Sequence, residues 1–211
     1  MSDQRRKNQY SIKTDFSLLA ILLIPIAVAI NFAGGQLASL LKLPLYLDTI
    51  GTIFTALLAG PWIGALAGAL TNIVTGIANP VNFAFIPVNV AVGLATGFLA
   101  RGHFFNVWWK WGISVILISL VSIIVAAPIV VILFGGITGG GSSLVTATLL
   151  AAGSNVWVAV IGTDGLFNLI DRIVSAVISL LVIRIIPDRT LIKFGVGKNY
   201  LGKKGDSGEK S

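Results

Sequence analysis

Asp164, Asn168, Arg172, Ser175 and Ser179 recur at intervals of four, four, three and four residues. That spacing places all five on one face of a helix. A carboxylate, a carboxamide, a guanidinium and two hydroxyls in one stripe can hold a polar ligand by hydrogen bonds. They can equally lock helix register through a buried ion pair. Arg172 stands about 14 residues from the end of its apolar segment, roughly 21 Å at 1.5 Å per residue. That is too deep for its head group to snorkel to water, so it needs a partner inside the protein or a ligand. Asp171 follows a different direction around the helix, which makes Asp48 or Asp164 the expected partner.

Other polar residues fall near one end of the apolar segments: Asn31, Gln36, Asp48, Thr49, Thr52, Thr71, Asn72, Asn79, Asn82 and Asn89, with Asn155, Trp157 and Thr163 beside Asp164 and Asn168. Solvation of helix ends accounts for Gln36, Asn79 and Asn82. Polar groups set deeper in hydrocarbon are costly unless paired or facing a cavity. The expected substrate-binding set is therefore Asn31, Asp48, Thr52, Asn72, Asn89, Asn155, Trp157, Asp164, Asn168 and Arg172.

Several chemistries are excluded. The chain has no cysteine and a single histidine, His103, so disulfides, Cys-ligated metals and a multi-His site are ruled out. A phosphate-binding GxxxxGK[ST] loop is absent. No carboxylates pair at catalytic spacing on one segment. The expectation is a protein with no catalytic residues, no metal and no intrinsic cofactor. A reading as a membrane enzyme acting on lipid finds no nucleophile or carboxylate pair to support it.

The elements that must position these residues are membrane helices. Of 211 residues, 55% are hydrophobic and 11% charged, against about 25% charged in an average soluble domain. Such a chain needs lipid as its solvent. Six apolar segments, 16–33, 47–59, 62–78, 83–100, 111–134 and 165–186, predict an all-α bundle of six transmembrane helices. The second is short, so it is expected to start earlier or to pack inside the bundle. The run from Phe16 is read as a first span rather than a signal peptide.

Of the 15 Lys and Arg, 13 lie before residue 16, between 101 and 110, or from 184 onward. The positive-inside rule puts all three regions, and both termini, in the cytoplasm. It accounts for the net charge of +7 better than nucleic-acid binding does. Trp108, Trp109 and Trp111 then form an aromatic belt at the inner interface. A seventh span over 144–161 would break this charge pattern, so that tract is read as a cap on the outer face. Residues 135–143, GGITGGGSS, read as a flexible outer linker. The divisions are a cytoplasmic tail (1–15), a transmembrane substrate-binding domain (16–190) and a basic cytoplasmic tail (191–211) that is disordered from Gly195. Small-xxx-small ridges at Ala29 and Ala33 and at Gly64 and Gly68 are candidates for close helix approach, including docking of a partner.

Three stretches carry a family resemblance: DTIGTIFTALLAGPWIGALAGALTNIVTG (48–76), IPVNVAVGLATGFLAR (86–101) and FNLIDRIVSAVISLL (167–181). Together they resemble the S-components, or substrate-binding subunits, of energy-coupling-factor (ECF) vitamin transporters. The resemblance implies six helices and a vitamin pocket near the outer face. It also implies a membrane scaffold subunit with two cytoplasmic ATPase subunits, and residence in a bacterial plasma membrane. Asn168 matches the Asn of the family's sixth-span motif. Riboflavin-type members often carry Lys three residues later, where this chain has Asp171 followed by Arg172. The overall look is closest to cobalamin-specific members, which makes cobalamin the expected ligand. Riboflavin, or a stand-alone proton-coupled transporter using Asp164, Asp171 and Arg172 as a relay, are the alternatives.

Overall fold

In a computed structural model the described residues, 15–201, are helical with no strand. The helices are α1 (Leu18–Leu40), α2 (Ile50–Ala59), α3 (Pro61–Ala78), α4 (Ile86–Arg101), α5 (Trp108–Phe134), α6 (Gly141–Ala151), α7 (Val156–Ile185) and α8 (Asp188–Leu191). Five helical segments are long and apolar enough to cross a membrane: α1, α3, α4 with the 3₁₀ turn before it (Pro80–Arg101), α5 and α7. Their large apolar side chains are widely exposed, as in Leu22, Ile124, Ile132 and Leu181. A surface of that kind suits hydrocarbon.

The second expected span, 47–59, takes a different form. Only Ile50–Ala59 is helical, about 15 Å at 1.5 Å per residue, or half of a hydrocarbon core about 30 Å thick. Residues 41–49 run without helix along α1 instead. Every residue from Gly51 to Ala59 is buried. α2 is the axis of the bundle, packed by α1, α3, α4 and α7. A helix apolar on all sides belongs at such a position. Thr52 and Thr55, the polar exceptions, are hydrogen-bonded, Thr55 back to the Gly51 carbonyl at 2.8 Å.

Glycines set the closest approaches. A Cβ at Gly51 would lie 2.3 Å from the Ala27 carbonyl oxygen of α1. Between α3 and α4, a Cβ at Gly93 would lie 2.4 Å from the carbonyl carbon of Gly64, and one at Gly68 2.6 Å from the Asn89 oxygen. Gly64 and Gly68 therefore serve packing within the chain and leave no ridge there for a partner. Ala29 and Ala33, by contrast, lie exposed on α1. Gly60 turns α2 into α3 with φ of +99°, and Pro61 begins α3 where its missing N–H costs nothing.

The start of α1, the α2–α3 turn, the end of α4, the start of α5 and the end of α7 meet at one end of the bundle. Asp15 pairs there with Arg101 and accepts from the Trp62 N–H at 3.4 Å. Burial holds the Asp15 carboxyl above its ordinary value despite the adjacent Arg101. Trp108 and Trp109 are exposed beside Lys110, whose ammonium lies 5.5 Å from the Trp109 ring centroid.

The segment after α7 differs from its reading as a disordered tail. Leu191, Phe194 and Val196 are buried against α2 and α7. The Val196 N–H donates to the Leu58 carbonyl at 3.0 Å, and the Asn199 amide to the Ala100 carbonyl at 2.9 Å. These bonds cap C-terminal carbonyls of α2 and α4 that helix geometry leaves open. Three apolar side chains among polar neighbours supply the anchor, a pattern that average composition conceals. Burial pushes the Tyr200 phenol up. The rest of the expected tails, residues 1–14 and 202–211, lies outside the described residues.

At the opposite end, 135–143 is only partly a linker. Gly135 closes α5 with φ of +60°, and the Gly136 N–H bonds back to the Val130 carbonyl at 2.9 Å. Gly141, Ser142 and Ser143 already belong to α6. The tract 144–161 divides into α6 and the first turns of α7, which begins at Val156, nine residues before the segment expected from hydropathy.

Candidate functional site

The α7 stripe is a buried face. Asp164, Asn168, Arg172, Ser175 and Ser179 all point into the bundle, joined by Asp171. Residues 41–49 lie across them. Past Leu43 this stretch donates no helical hydrogen bonds, so its N–H groups need other acceptors. Asp171 supplies the acceptor: its Oδ1 takes the N–H groups of Tyr46 at 3.0 Å and Leu47 at 2.8 Å. Its Oδ2 faces Arg172 at 3.0 Å.

The partner of Arg172 is thus its sequence neighbour, not Asp48 or Asp164. Asp171 does leave α7 in another direction, but the non-helical 41–49 segment meets it there. The long guanidinium arm reaches round to the oxygen that this segment leaves open. Asp171 is 0% exposed and the Arg172 side chain 3%. Arg172 donates further to the Thr49 hydroxyl and to Ser122 Oγ at 3.4 Å. Ser122 passes its own proton to Asn168 Oδ1 at 2.9 Å.

A second branch runs through Tyr46. Its hydroxyl donates to Asp164 Oδ1 at 3.1 Å and lies 3.0 Å from Ser142 Oγ. Ser142 also neighbours Asp164, so the carboxylate and the two hydroxyls share two protons among them. The 41–49 segment is thereby tied to α6 as well as to α7. A third branch links Asp48 to Asn89 at 3.5 Å, Asn89 to Asn72 Oδ1, and the Asn72 amide to the Asn82 carbonyl at 3.0 Å.

Six of the ten expected binding residues, Asp48, Asn72, Asn89, Asp164, Asn168 and Arg172, therefore meet at the α6 end of the bundle. The other four do not join them. Asn31 is 0% exposed and fully engaged. Its amide donates to Thr52 and Thr71, each at 2.9 Å, and its carbonyl accepts the Gly51 N–H at 2.6 Å. Asn31 and Thr52 form a knot that fastens α1 to α2 and α3. Asn155 caps α7 by accepting from the Trp157 N–H at 2.9 Å, and Trp157 is exposed.

Tyr46, Ser122 and Ser142 complete the network without having been expected. Ser122 is one of three buried serines in an otherwise apolar α5, with Ser114 and Ser119, so its type alone does not single it out. Tyr46 carries no signal, because its role depends on the 41–49 segment crossing α7. Among the described residues, no group of three or more His, Cys, Asp and Glu forms a metal site. No protein-family model, curated protein or solved structure matches the chain.

Proposed function

We propose that the chain is the substrate-binding S-component of an ECF-type vitamin importer, with six membrane segments and both termini in the cytoplasm. The carrying observation is the polar network at the α6 end. It gathers side chains from α3, α4, α5, α6, α7 and the 41–49 segment. A bundle built for stability alone fills such a position with apolar side chains, since buried ion pairs add little net stability. Irregular backbone within a membrane protein belongs where it lines a cavity or is enclosed by protein. The positive-inside rule places the basic end, with Arg101, Lys110, Arg184 and Arg189, in the cytoplasm, so the network faces outward.

In this role the chain hydrolyses nothing. It captures a vitamin outside a bacterial plasma membrane. A membrane scaffold subunit and two cytoplasmic ATPases then drive delivery, and the exposed Ala29 and Ala33 of α1 offer the scaffold a close approach. The test is uptake of labelled vitamins, cobalamin and riboflavin among them, by cells producing the chain with and without those partners. Uptake that needs the partners and their ATP hydrolysis supports the proposal. Uptake by the chain alone, abolished by collapsing the proton gradient, would establish a self-sufficient proton-coupled transporter in its place.

A further inference from the structure

The segment after α7 has two unlike faces. Its inner face is seated: Leu191, Phe194 and Val196 are buried, and the Val196 N–H bonds to the Leu58 carbonyl at 3.0 Å. Its outer face carries Arg189, Ile192, Lys193 and Lys198, all exposed, beside the exposed Arg184 and Ile185 at the end of α7. The segment follows α7 directly and bonds to the C-terminal ends of α2 and α4 through Leu58 and Ala100. It therefore lies where the spans leave the membrane.

Charge is the first observation on this outer face. The ion pairs among the described residues are Asp15 with Arg101 and Asp171 with Arg172. Arg184, Arg189, Lys193 and Lys198 thus have no carboxylate partner among them, and Asp188 is the single acid between 184 and 201. The second observation is what stands among those cations. Ile185 is 78% exposed and Ile192 49%. Trp108 and Trp109, both exposed, begin α5, whose Trp111 packs on the same cluster as Leu191 and Phe194. Unpaired cations, exposed isoleucines and flanking indoles suit neither water nor hydrocarbon alone. They suit the boundary, where apolar side chains and stems enter the acyl region and charged heads stay among headgroups.

We infer that this face binds anionic phospholipid, its headgroup phosphate held by Arg184, Arg189, Lys193 and Lys198, with Ile192 set among the acyl chains. Guanidinium forks suit phosphate by paired N–H···O bonds. Each cation near an anionic lipid surface contributes about a fivefold preference. An acidic protein is the rival occupant, and it would have to displace lipid that the end of α7 keeps beside these side chains. The inference goes beyond the proposed uptake role and holds for whichever ligand the chain carries.

The test titrates the full-length chain in detergent with phosphatidylglycerol or with phosphatidylcholine of matched acyl chains, and native mass spectrometry reads the bound lipid. Phosphatidylglycerol should bind about 25-fold or more tightly than phosphatidylcholine, the worth of two or more cations. Arg189→Gln alone should reduce that preference about fivefold. The fourfold variant, with Arg184, Arg189, Lys193 and Lys198 all replaced by Gln, should fold as the parent does and bind the two lipids to within about fivefold. Lys42→Gln removes a cation exposed elsewhere and should leave the preference intact. Equal binding of the two lipids by the parent would overturn the inference. So would a preference that survives in the fourfold variant; if that variant instead loses co-purification with a cytoplasmic protein, the face belongs to a protein partner. Displacement of the lipid by inorganic phosphate at equal concentration would identify a free-anion site and overturn it as well. Each of these outcomes leaves the uptake proposal standing.

Discussion

Replacing Arg172 with methionine isolates the clamp that holds the 41–49 segment. Methionine retains much of the apolar stem and removes the guanidinium, which donates to Asp171, Thr49 and Ser122. The buried Asp171 carboxylate then keeps only its two backbone donors. Breaking a buried pair from one side costs about 3–5 kcal/mol. At about 2–4 °C per kcal/mol for a chain of this size, melting of Arg172→Met in detergent should fall by roughly 6–20 °C. Asp171→Asn should cost a similar amount by stranding Arg172, although its Oδ1 can still accept from Tyr46 and Leu47.

The double variant Asp171→Asn/Arg172→Met removes both charges and keeps that acceptor. It should lie within about 1–2 kcal/mol of the parent, because neutral replacement of a buried pair is tolerated. The resulting coupling of several kcal/mol is large for a double-mutant cycle. Asp171→Leu supplies the contrast, since it also strands two N–H groups at about 1–3 kcal/mol each. A double variant as unstable as the two single losses combined would refute the clamp.

Four further outcomes follow from the packing and the site. Gly93→Ala should destabilise by about 1–3 kcal/mol, because the new Cβ meets the Gly64 backbone; Gly112→Ala, with open space around it, should leave melting unchanged or raise it by the equivalent of about 0.4–1 kcal/mol. In a chain without cysteine, single cysteines at Ala152 and Lys193 should label from opposite sides of intact cells, and same-side labelling would reject the proposed topology. Ala29→Leu and Ala33→Leu should fold normally and co-purify less with a membrane scaffold; unchanged co-purification moves the docking face elsewhere. Arg101→Met should lower melting by the equivalent of about 3–5 kcal/mol by stranding buried Asp15, with no change in ligand affinity measured by titration.

The α7 face was legible because periodicity states it: four-, four-, three- and four-residue intervals survive into the bundle unchanged. The partner of Arg172 was not legible. Helix spacing correctly sends Asp171 away from the stripe, yet it cannot foresee an irregular segment that brings backbone donors to that side. The second segment was recognised as apolar, and its shortness was visible. Packing inside the bundle was one of two readings of that shortness, the other being an earlier start; composition could not choose, since it does not distinguish burial by protein from burial by lipid. The same ambiguity affects Gly64 and Gly68, whose spacing serves equally for an external partner and for α4. Asn31 and Thr52 looked like site residues because both are polar and deep. Only three-dimensional contact shows that they satisfy each other and Thr71.

The central claim is that Asn89, Asn168 and their neighbours form a substrate site and not merely interhelical hydrogen bonds. Its most direct test is equilibrium titration of the purified chain with the vitamin that binds it, for the parent and for Asn168→Ala. Saturable one-to-one binding is expected. Asn168→Ala should weaken it by about 5- to 150-fold, equivalent to losing a hydrogen bond worth about 1–3 kcal/mol in a poorly hydrated site, with the unliganded melting temperature nearly unchanged. Full affinity in Asn168→Ala together with lowered stability would contradict the claim and make the network a structural device.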